Sequence, residues 1–285
     1  MYNEKPLLLH GCVIEVALFV YNIIKLEKDN RYENWEVFNM LNFTRKGSGD
    51  VIVLVHGFLG GIAIFDKIIT PLTDRFDVIA IDLPGHGKSE IPEGEYTMDR
   101  YAEDIFEVLT AELVDTAYWI GHSMGGYITL AAIEKQNKHI KKAILLYSSD
   151  APDNEEQIKK RTKQQQEIIN DGVGAYVDGI IHNFLAPEAK TEDILFAKEV
   201  AHEAKAEGVV AALDAMKARK NQQTLINTTT TPILVIEGEQ DKVVTPIETS
   251  NPKVKKVTTN TGHLGMVEDP QNVLREILQF LNDEK

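Results

Sequence analysis

Ser123 stands in Gly121-His122-Ser123-Met124-Gly125-Gly126, with one apolar run before it (117–120) and another after it (127–133). This is G-x-S-x-G placed between a strand and a helix. A serine hydroxyl becomes a useful nucleophile only where a sharp turn exposes it beside a base and facing hydrogen-bond donors. The base it needs is best supplied by His263, in Thr261-Gly262-His263-Leu264-Gly265, because imidazole has its unperturbed pKa near neutrality. A carboxylate must then fix the tautomer of that histidine and stabilise its imidazolium. Asp241, in Glu237-Gly238-Glu239-Gln240-Asp241 after the apolar run 232–236, is the natural choice, and Asp150, after the preceding run 142–147, is its rival. An oxyanion needs two main-chain N–H donors. Met124 follows the nucleophile, and Phe58 lies in His56-Gly57-Phe58-Leu59-Gly60-Gly61, directly after the run 51–55. Residues of these types in this pattern point to acyl transfer through a covalent intermediate.

Such groups must converge from distant parts of the chain, so the elements between them matter. Residues 51–55 are a short continuous apolar run rich in β-branched residues, the pattern of a strand buried on both faces, and the mainly apolar segments 76–81, 117–120, 142–147 and 232–236 read as further strands. Residues 254–258 form a weaker strand pattern, 35–43 reads as an edge strand, and 45–50 as a turn. Helical spacing occurs around 62–72, 98–113, 127–133 and 267–281. Strands alternating with helices predict an α/β protein with a mostly parallel sheet flanked by helices. Residues 150–231 break the rhythm. They are charged, contain no convincing strand, and predict helices over 155–169, 173–184, 191–207 and 209–220. This segment is expected to be a helical insertion, with Gln164-Gln165-Gln166 on a solvated helix face.

The 285-residue chain, 43% hydrophobic, can bury a substantial core, and its formal charge of −14 argues against nucleic acid as a partner. A single cysteine, Cys12, excludes an internal disulfide and a cysteine-based zinc site. No phosphate-binding loop, dinucleotide fingerprint or metal-ligand cluster occurs, so no cofactor and no metal is expected. Residues 7–24 are apolar, with one charge at Glu15, and no secretory cleavage site is evident. The expectation for 1–33 is a packed helix or a membrane-associated segment acting through 7–24. A cytoplasmic location follows from the acidic composition, with membrane association as the alternative.

Five motifs carry a resemblance to a known family: His56-Gly57-Phe58, Asp82-Leu83-Pro84-Gly85-His86-Gly87-Lys88-Ser89, Gly121–Gly126, Gly238-Glu239-Gln240-Asp241 and Gly262-His263. From about residue 35 to the carboxyl terminus the chain resembles the α/β-hydrolase superfamily, and within it the small bacterial carboxylesterase-like hydrolases with a helical lid. The order Ser123, Asp241, His263 is the order of that fold's triad. The resemblance implies a core of 34–149 and 232–285, a lid of 150–231, and a serine hydrolase of small or medium-sized carboxylic esters with catalytic Ser123, Asp241 and His263. Phe58, Leu59, Met124, Phe184 and Leu264 are expected to line the substrate pocket, and Tyr176 and Leu185 either join them or form lid core.

Two departures from the family pattern stand out. The stretch between Asp241 and His263 is short, and the apolar amino-terminal segment is not part of the family core. Asp82 reads as a turn residue, and His56, His86 and His122 as structural or pocket-shaping. The same triad serves lyases and hydrolases of carbon–carbon bonds, and a ligand sensor of low turnover would keep it too. Turnover of activated esters that depends on Ser123 discriminates among these readings.

Overall fold

Seven strands build one sheet in the order β1-β3-β2-β4-β5-β6-β7 in the computed structural model, which describes residues 41–283. The strands are β1 (Phe43–Gly47), β2 (Val51–Val55), β3 (Asp77–Ile81), β4 (Ala117–His122), β5 (Ile140–Leu146), β6 (Ile233–Gly238) and β7 (Val254–Thr259). Only β1 runs antiparallel to its neighbour, with Phe43 opposite Ile81 and Gly47 opposite Asp77; every other pairing is parallel. The central strands are sealed on both faces: Ile52, Val53, Leu54, Val55, Ile144 and Leu145 are fully buried. Continuous apolar runs are the sequence form of that environment.

The edge differs from the expected pattern. Arg45, Lys46 and Gly47, read as the start of a turn, belong to β1. The exposed edge of a sheet tolerates charge where an inner strand does not, and Arg45 is held there by ion pairs to Asp77 at 2.7 Å and Glu112 at 3.0 Å. Residues 35–40 of the expected strand, and the whole segment 1–33, lie outside the described residues. The expectation of membrane association is corrected: among the described residues no helix is long and apolar enough to cross a membrane, and residues 7–24 are not among them.

Between β5 and β6 lie the helices Glu155–Asp171, Val173–Ile180, Thr191–His202, Ala206–Lys217 and Gln223–Thr228, with a short 3-10 turn at Ile181–Phe184. Asn154 starts the first through a capping box with Gln157, which satisfies two end donors reciprocally. The expected helix over 191–207 stops at His202, and the next begins at Ala206 rather than 209. That junction is fixed from outside, because the Lys205 N–H donates to the Gly85 carbonyl at 2.9 Å. There Gly208 meets Gly85 backbone to backbone, so closely that a methyl on either would collide with the other. The insertion is thereby fastened to the loop after β3. Between β6 and β7, residues 239–253 carry no helix.

Candidate active site

All the chemistry-bearing groups lie at the carboxyl ends of parallel strands. Ser123 follows β4 with φ of 51°, a left-handed conformation unusual for a residue with a side chain. Its N–H donates to the Leu146 carbonyl at 2.9 Å, and its own carbonyl accepts from the Gly126 N–H and the Ser148 hydroxyl, both at 2.8 Å. Gly121 and Gly125 are required by contact: a methyl on Gly121 would strike the Gly125 carbonyl, and one on Gly125 would strike the Val55 carbonyl.

His263 lies in the loop after β7, 2% exposed, with its N–H bound to the Phe184 carbonyl at 2.8 Å. Its Nδ1 is 2.7 Å from Asp241 Oδ2, and its Nε2 is 2.8 Å from Ser123 Oγ. A carboxylate oxygen only accepts, so Nδ1 carries the hydrogen and the bare Nε2 accepts from the serine hydroxyl. Asp241, in the turn after β6, is itself oriented by the Val243 N–H, which donates to Oδ1 at 2.7 Å. Its side chain is 5% exposed. The structure thus brings Ser123, His263 and Asp241 into one hydrogen-bonded line across 140 residues of sequence. Asp150 does not join it. Asp150 lines a separate small cavity of about 100 Å³, and burial pushes its carboxyl above the usual range.

The Phe58 and Met124 N–H groups reach no acceptor among the described residues. Two unpaired main-chain donors beside a nucleophile are what a developing oxyanion requires. Asp82 is structural: Oδ1 accepts from the Ile62 N–H at 2.7 Å, and Oδ2 accepts from Asn42 Nδ2 at 2.7 Å and the Lys88 N–H at 3.0 Å. His56 donates from Nδ1 to the Gly57 carbonyl and accepts at Nε2 from the Leu83 N–H. Both nitrogens are used by the neutral ring, and burial lowers its pKa.

A cleft of about 980 Å³ opens over Ser123 and His263. Phe58 and Phe184 line it, and Tyr176 does so from the insertion, its ring meeting Phe58 edge-on at 6.4 Å. Leu59, Met124 and Leu264 do not line the cleft: their side chains are buried in the core, at most 3% exposed. Their neighbours in sequence face the cleft, and chain proximity alone does not separate the two cases. The sequence reading also missed Tyr127, Met216 and Lys242 on the wall, and a charged face of helix Glu155–Asp171. Glu268 was missed as well. Its Oε2 accepts from the Ala186 N–H at 2.9 Å and the Gly262 N–H at 3.2 Å, tying the histidine loop to the insertion. A lone glutamate in a short helix carries no sequence signal for that task.

The parallel sheet with one antiparallel edge strand, the serine turn after β4 and the helical insertion after β5 decide the architecture. The chain has the α/β-hydrolase fold. The α/β hydrolase fold family model matches residues 50–170, which hold the serine turn. An esterase from Thermogutta terrifontis, solved with malate bound, superposes with a TM-score of 0.78 at 27% identity, covering 85% of this chain and 92% of that one. The enol-lactonase from Burkholderia xenovorans LB400 gives a TM-score of 0.79 at 19% identity, over 85% of this chain and 96% of the other, a likeness of fold. A 2-(acetamidomethylene)succinate hydrolase of Mesorhizobium japonicum is 27% identical over 210 residues, 72% of this chain and 76% of that protein. Through this fold the chain is related to small bacterial carboxylesterase-like serine hydrolases with a helical lid.

Proposed function

We propose that the protein hydrolyses carboxylic esters of small or medium-sized substrates through an acyl-enzyme on Ser123. The observation that carries this reading is the single imidazole of His263 bridging Ser123 Oγ at 2.8 Å and Asp241 Oδ2 at 2.7 Å. As Ser123 Oγ attacks the ester carbonyl, its proton passes to His263 Nε2. Asp241 stays ionised, holds Nδ1–H and stabilises the imidazolium. The Phe58 and Met124 N–H groups receive the carbonyl oxygen as it gains charge, a contribution of about 3 kcal/mol per donor in comparable sites. Collapse of the tetrahedral intermediate breaks the bond to the alcohol, which leaves with the proton from His263. A water then loses a proton to the same nitrogen and attacks the acyl carbonyl. The acid departs as the proton returns to Ser123.

Turnover of a p-nitrophenyl ester series by the protein and by Ser123→Ala tests this. Release of p-nitrophenol that vanishes in the variant, with an acyl adduct on the peptide containing Ser123, supports it. Release that survives the substitution sinks it.

A further inference from the structure

The cleft is basic on a strongly acidic protein. The whole chain has 44 acidic and 30 basic residues, yet the cleft wall presents Lys159, Lys160, Arg161, Lys163 and Lys242 against one carboxylate, Glu156. Four of these cations come from the single helix Glu155–Asp171. Lys159, Lys160 and Lys242 make no ion pair among the described residues, and Lys163 faces only Glu167, one turn along its own helix, at 3.5 Å.

Arg161 is the built part of this surface. Its Nε and Nη2 clamp the fully buried carboxylate of Asp153. That clamp holds the guanidinium in one orientation and leaves Nη1 without an acceptor among the described residues. Asp153 also binds Arg219, which is itself buried and lies 4.4 Å above the Tyr127 ring. Two guanidiniums therefore share one carboxylate, and the surplus positive charge borders the cleft. The Tyr176 hydroxyl on the same wall is buried with no hydrogen-bond partner. An oriented guanidinium with spare donors, beside an unpaired hydroxyl, is a receptor for a carboxylate.

We propose that the substrate is an anionic ester, carrying a carboxylate away from its scissile carbonyl that docks on Arg161, with Lys159, Lys160, Lys163 and Lys242 drawing it into the cleft. This rests on the ester-hydrolase reading above and adds the substrate's charge to it. Focused charge of one sign raises the local concentration and the capture rate of a ligand of the other sign.

The test compares mono-p-nitrophenyl adipate with p-nitrophenyl hexanoate, matched in acyl length, each corrected for its uncatalysed rate. The expected kcat/KM favours the adipate by at least about tenfold at low salt, with the preference shrinking in about 0.5 M salt. In Arg161→Gln, where Asp153 keeps Arg219, and in the triple variant Lys160→Gln, Lys163→Gln, Lys242→Gln, the adipate-to-hexanoate ratio falls towards unity. Equal or better use of hexanoate by the native protein overturns the proposal and leaves the esterase intact. Calorimetric titration of adipate into Ser123→Ala separates the two readings, because it needs no turnover. Binding that is lost on adding Arg161→Gln supports the anionic site even if no ester is cleaved. Absence of binding overturns it even if esters are cleaved.

Discussion

His122 donates its Nε2 hydrogen to the main-chain carbonyl of His263 at 2.9 Å. The residue beside the proposed nucleophile thus holds the backbone of the proposed base, and the two rings lie 5.0 Å apart. His122 is 3% exposed, and its pKa is lowered far below the ordinary histidine value, first by burial and then by the nearby His263. It stays a neutral donor across the working range and acts as a positioning residue. In His122→Phe, which fills the space without donating, kcat should fall about 10- to 100-fold with a smaller change in KM. His122→Gln, which restores a donor, should recover part of the loss. Steady-state kinetics on one neutral ester reads both.

Asp241 fixes which nitrogen of His263 bears hydrogen. Asp241→Asn removes the charge that stabilises the imidazolium and permits the wrong tautomer, so kcat should drop by about 10⁴, as in comparable triads. The unfolding midpoint should move little, since Asn can still accept from the Val243 N–H. A large loss of stability with modest loss of rate would count against the assigned role.

The space around two glycines of the insertion, Gly208 packed against Gly85 and Gly179 in the open, sets opposite signs for their substitution by alanine. Gly208→Ala pushes a methyl into the Gly85 backbone and should cost about 2–4 kcal/mol in urea unfolding. Gly179, in helix Val173–Ile180, has nothing within 4 Å of the position its methyl would take. Gly179→Ala should therefore stabilise by about 0.5–1 kcal/mol.

Acid should weaken the fold from near neutrality. His56, His86 and His122 are buried, and burial lowers the pKa of each, to about 3 for His86, which keeps the rings neutral. Unfolded, they titrate near 6.5. The unfolded state therefore binds more protons below that pH, and the stability present above it is lost as pH falls towards the folded values. Each such group contributes a slope of about 1.4 kcal/mol per pH unit inside its window. Asp104 works the other way: burial raises its carboxyl to about 6, so its protonation favours the fold as pH falls through the same range. Urea midpoints between pH 6.5 and 5 should show a shallower decline in His86→Gln than in the native protein. Equal slopes would refute the assignment for His86.

Much of the fold and of the site's chemistry was legible in the residues. Strand β2 is an apolar β-branched run and β3, β4 and β5 are mainly apolar, a character that is local, and the groups that meet at the site sit on the loops that end β2, β4, β6 and β7. A glycine-flanked serine or histidine after such a run declares itself, because close packing at the turn admits nothing larger. Strand β1 was misplaced because an edge strand such as Phe43–Gly47 has a polar face and can carry Arg45 and Lys46.

By itself, the sequence determined the alternation of strands and helices, the serine turn and the residue types able to act with it. Tertiary structure alone decided what faces what. Gln164, Gln165 and Gln166 read as one solvated face, yet Gln164 lines the cleft, Gln165 is buried and donates to the Val210 carbonyl at 3.1 Å, and only Gln166 is exposed. Asp241 and not Asp150 reached His263, and Arg161 was aimed at the cleft by a carboxylate eight residues away. A charged helix has the same local pattern whether its polar side meets bulk water or the mouth of a cleft. The difference arises only when distant chain segments pack, and packing depends on contacts that no local spacing encodes.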